Sequence, residues 1–80
     1  MIRYKAVPHD EIEDMHLVYE NVDGMWVECP DYGVGDKIET AIYVKRMNML
    51  HEMREIRDDP EMSKAEKLEE MREIKRVYER

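Results

Sequence analysis

Two histidines and four carboxylates fall within eight residues, His9-Asp10-Glu11-Ile12-Glu13-Asp14-Met15-His16, the densest gathering of metal-ligating side chains in the chain. Their spacing fits no metal chemistry. A calcium loop needs a central glycine and oxygen ligands at regular intervals, and a zinc peptidase needs His-Glu-x-x-His on one helix face. Neither pattern is present, so the stretch reads as an acidic loop, or a single turn capped by Asp10 with Glu13. Cys29 is the single cysteine, and no neighbouring group activates its thiol. It reads as a small apolar residue on a strand.

Gly33-x-Gly35 ahead of a helix has the outline of a phosphate loop. It lacks a third glycine and a Lys-Ser/Thr ending, and Asp36 would repel a phosphate. Ser63, the only serine, stands where a helix cap is needed. The carboxylates are numerous, and no pair is set apart by its surroundings as an acid and a base must be. The sequence therefore points away from an enzyme, and it implies no cofactor and no metal.

What remains is surface. Residues 1–36 carry two basic side chains against nine acidic ones, whereas residues 37–80 carry eleven of each, so the whole net charge of −7 sits in the first part of the chain. That excludes a basic footprint for direct nucleic-acid binding. It favours a partner with a basic surface, steered by long-range attraction. The expected contact residues are Glu20, Trp26, Glu28, Asp31 and Tyr32, with Asp10, Glu11, Glu13 and Asp14. Trp26 is the only tryptophan, and an aromatic ringed by acids suits an anchor for a cationic group. No apolar run is long enough for a membrane helix or signal peptide, which makes the cytoplasm the expected location.

The elements that would position these residues form an α+β chain. Alternation predicts strands at 2–7, 16–21 and 25–29, with Ile2, Tyr4 and Ala6 on one face of the first. Two turns fit between the second and third strands. A two-residue Asp23-Gly24 turn pairs Val22 with Met25 and places Glu20 beside Val18 and Val27. A type I turn over Asn21–Gly24 with a glycine bulge instead gathers Leu17, Tyr19, Met25, Val27 and Cys29 on one face, and Glu20, Trp26, Glu28 and Val18 on the other. The second separates apolar from acidic better and is the register expected.

Residues 29–36 form a linker to two helices, 37–57 and 64–79, so an acidic β-half (1–35) precedes a helical hairpin (36–80). Asp36-Lys37-Ile38-Glu39 and Ser63-Lys64-Ala65-Glu66 are both cap sequences, and Pro60 ends the first helix. Thr40 to Val44 is β-prone, but the 38/42/49/53/56 apolar stripe runs through it and favours helix. A turn centred near residue 60 pairs Met53 with Leu68, Leu50 with Met71, Met47 with Ile74 and Tyr43 with Tyr78. Glu52-Met53-Arg54-Glu55-Ile56 recurs as Glu70-Met71-Arg72-Glu73-Ile74, one amphipathic solution used twice.

The run Ile56-Arg57-Asp58-Asp59-Pro60-Glu61-Met62-Ser63-Lys64-Ala65-Glu66-Lys67 resembles the aspartate–proline helical hairpins of proteins encoded by bacteriophages and other mobile elements. In size, acidity and layout the chain is also similar to phage-encoded inhibitors such as anti-CRISPR proteins. The resemblance implies a protein-binding inhibitor or adaptor in the host cytoplasm, acting on a nucleic-acid-handling protein, in one version as an acidic mimic of nucleic acid. The rival expectation is an assembly component that forms a homodimer or larger oligomer through the methionine-rich hairpin.

Overall fold

Antiparallel strands β1 (Tyr4–Pro8), β2 (Met15–Val22) and β3 (Met25–Glu28) and a two-residue β4 (Gly35–Asp36) lead into helices α1 (Lys37–Arg57) and α2 (Lys64–Tyr78) in a computed structural model describing residues 2–79. The α+β architecture agrees with the sequence reading. β2 lies at the centre of the sheet, with β1 on one side and β3 and β4 on the other. β4 lies within the expected linker and joins β2 only through Met15 and His16.

Local chemistry explains the boundaries. The Asp36 carboxylate accepts the Glu39 amide at 2.8 Å, so α1 starts at its acid cap and runs unbroken through the β-prone segment. Ser63 and Glu66 exchange hydrogen bonds in a capping box at the start of α2. Both caps satisfy amides that the first helical turn leaves without partners.

The β2–β3 turn is not the expected one. Val22 pairs with Met25, and the turn residues Asp23 and Gly24 have φ of 52° and 85°, the left-handed pair of a type I′ hairpin. Aspartate and glycine both tolerate that region, and its twist matches the strands. Glu20 consequently shares a face with Tyr4, Val18 and Val27. Acid is tolerated there because Arg3 meets it, with both Nε and Nη2 at 2.9 Å from one carboxylate oxygen.

The helical hairpin also differs in register. Tyr78 lies against Met49 and Glu52, and Ile74 against Glu52 and Ile56, roughly a turn closer to the connection than a symmetric hairpin puts them. The first turn of α2 overhangs the end of α1, and Lys67 reaches back to the Arg57 carbonyl at 2.7 Å. Leu68, expected at the seam against Met53, is exposed instead. Tyr43 turns instead to Tyr32, ring centroids 4.4 Å apart.

α1 packs on β1, β2 and β4, and α2 packs on α1 alone. The interior is small: among the described residues, Tyr4 and Val18 are the buried apolar side chains and Thr40 and Asn48 the buried polar ones.

Candidate protein-binding surface

Asn48, which sequence reasoning passed over, covers the Tyr4 end of one edge of the sheet. The Asn21 amide donates to the Arg3 carbonyl at 2.7 Å, so strand alternation turns the Tyr4 amide and carbonyl away from β2. The buried Asn48 carboxamide meets them: its oxygen accepts from the Arg3 and Tyr4 amides at 2.9 and 2.8 Å, and its nitrogen donates to the Tyr4 carbonyl at 3.1 Å. One helix side chain thereby does what a neighbouring strand would do. The only available signal was a polar residue within an apolar helical stretch.

The opposite edge has no such cover. β3 pairs with β2 and touches no helix, and all four of its residues are exposed. Trp26 and Glu28 share the face away from α1. The indole is 38% exposed, and the Lys5 ammonium sits 4.2 Å from its ring centroid. The expected cationic contact to Trp26 is therefore supplied within the chain. Asp23 in the turn before β3 and Asp31 in the turn after it are both exposed, so acids flank the strand at each end.

The other expected contact residues separate into groups. Glu20 is held by Arg3 on the α1-facing side and also accepts the Tyr4 hydroxyl at 3.4 Å, so it does not share the surface of Trp26 and Glu28. Tyr32 binds the Thr40 hydroxyl at 2.8 Å and meets the Tyr43 ring at a tilt of 40°, which ties it to the scaffold. A Cβ on Gly35 would collide with the Tyr32 hydroxyl, so glycine at 35 is what lets the ring seat there.

Asp10, Glu11, Glu13 and Asp14 lie exposed in the β1–β2 loop, away from the β2–β3 turn. That loop is organised by His9, whose Nδ1 accepts the Glu11 and Ile12 amides, each at 3.0 Å. Among the described residues, no three histidine, cysteine or acidic side chains converge on a metal site.

Titration behaviour follows packing. Burial pushes the Cys29 thiol above its usual range, and the negative charges of Glu20, Asp31 and Glu28 push it further, so the thiol is held neutral and unreactive. Tyr43 is raised mainly by burial, with Cys29 next. The Tyr4 phenol is raised by burial and by Glu20. Tyr78 is pushed up to about 12 by burial and by its hydrogen bond to Glu52.

Among the described residues, no helix is long and apolar enough to cross a membrane. Comparison of the chain with protein-family models, curated proteins and solved structures finds no match.

Proposed function

We propose that this chain is a small protein-binding module that presents an acidic β-hairpin to a basic, nucleic-acid-handling protein in the cytoplasm and inhibits or adapts it. The observation that supports this most is β3: an exposed strand uncovered by any helix, with Asp23, Glu28 and Asp31 along it. The helical half is charge-balanced and serves as its mount. In its strictest form the hairpin occupies a cationic groove meant for phosphates, as the likeness to phage-encoded inhibitors suggests.

The test is capture from a low-salt lysate followed by mass spectrometry. The expected result is a basic nucleic-acid-handling protein whose binding weakens with salt and falls at least about tenfold in the triple variant Asp23→Lys, Glu28→Lys, Asp31→Lys. Binding indifferent to both salt and charge reversal would sink the reading.

A second reading, assembly through the helices, has its own observation. Ile38 and Ile42 on α1 are 73% and 63% exposed, while the seam methionines 47, 49, 53 and 71 are half-covered. An oligomer would use this isoleucine face in place of the methionines. It requires concentration-dependent sedimentation that Ile42→Glu abolishes and the triple lysine variant leaves unchanged.

A further inference from the structure

Resting on the proposal of a basic partner, we infer that β3 takes an extended segment of that partner as an added antiparallel strand, and that this segment alternates basic and aliphatic residues. The backbone supports the first part. Val22 and Met25 flank a two-residue turn, and the Cys29 amide donates to the Val18 carbonyl at 2.8 Å, so Met25 and Val27 direct their hydrogen-bonding groups, and Cys29 its amide, to β2. The amides and carbonyls of Trp26 and Glu28 point the other way, toward solvent. Such an unpaired row is a template for strand addition.

The side chains support the second part. An added strand alternates its residues between the two faces of the sheet. On one face it meets Glu28, with Asp23 and Asp31 at the ends; Lys5 already stacks on Trp26, so the carboxylates do most of the reading of arginine or lysine. On the other face it meets Met25 and Val27, 70% and 49% exposed, which select aliphatic groups. A second copy of this chain fits the edge poorly, because self-pairing would bring two acidic hairpins together.

The test uses the full chain and a synthetic octapeptide of alternating arginine and valine. A second version carries N-methyl groups on the amides that would face β3, and a third replaces valine by serine. Amide exchange and the fluorescence of Trp26, the sole tryptophan, report binding. At low salt the first peptide is expected to protect the Trp26 and Glu28 amides about tenfold or more, and the methylated and serine versions to bind about tenfold more weakly.

Glu28→Pro removes one outward amide without touching a β2–β3 bond, and should weaken binding more than Glu28→Gln, which loses only the charge. Equal binding of the methylated peptide, with Trp26 and Glu28 unprotected, would overturn strand addition and leave the acidic-surface reading standing. Absence of any peptide binding at low salt would overturn both. Protection of the same amides by self-association without peptide would assign the edge to a second copy and overturn the inference.

Discussion

At the scale of single residues, Asn48 has the largest expected consequence. Asn48→Leu keeps the volume and strips partners from two amides and a carbonyl at the buried edge of β1. The expected loss is about 2–4 kcal/mol in urea unfolding, with Asn48→Asp in between because it retains the acceptor. Tyr78 supplies a pH signature. Its folded pKa, about 12, lies above the ordinary tyrosine value of 10.0, so its contribution is complete below pH 10 and disappears as pH rises toward 12. Tyr78→Phe should flatten part of the alkaline fall in the urea midpoint over that window; Tyr4, Tyr43 and Cys29, raised in the same direction, also contribute to the fall. Neither residue's role was legible. An asparagine in a helix and a terminal tyrosine announce nothing until a strand edge and a carboxylate are brought to them.

At the scale of elements, the local rules were readable and the long-range register was not. Caps written as Asp-x-x-Glu and Ser-x-x-Glu depend only on neighbours in sequence, and both form as expected. Ser63→Ala should cost about 1 kcal/mol and reduce helical ellipticity. The β-hairpin register failed because separating apolar from acidic residues assumed that Glu20 would seek water. Its partner Arg3 lies seventeen residues away in sequence. The turn itself offers a direct check. No atom lies within 4 Å of a Cβ built on Gly24, so Gly24→Ala tests backbone conformation alone. A loss of about 1 kcal/mol is expected, recovered by D-alanine at the same position.

At the scale of the whole molecule, the chain is long and thinly filled. Its extents are 48 × 29 × 18 Å and its radius of gyration is 14.7 Å, against about 12 Å for a globular domain of this length. The accessible surface is 6378 Å², where a compact chain of this mass exposes about 5,100 Å². The excess, about 1,300 Å², is more than the roughly 800 Å² that one partner contributes to a standard interface. With so few buried apolar side chains, the free chain should unfold with no more than about 5 kcal/mol in urea. A saturating partner should raise that midpoint. Composition already showed the charge asymmetry between the two halves. It could not show that the acidic half ends in an uncovered strand, because cover depends on where the helices lie.

The unequal treatment of the two sheet edges also limits how far any assembly through them can grow. A sheet with two open edges accepts a neighbour on each side and propagates into a fibre. Here Asn48 holds the amide and carbonyl of Tyr4 on the β1 side, while no helix covers the outward groups of Trp26 and Glu28 on β3. The two edges therefore differ in readiness: a strand approaching β1 must displace the Asn48 carboxamide, whereas one approaching β3 displaces only water. The Asn48 contact thereby biases strand addition toward one side of the sheet, which works against growth into a fibre.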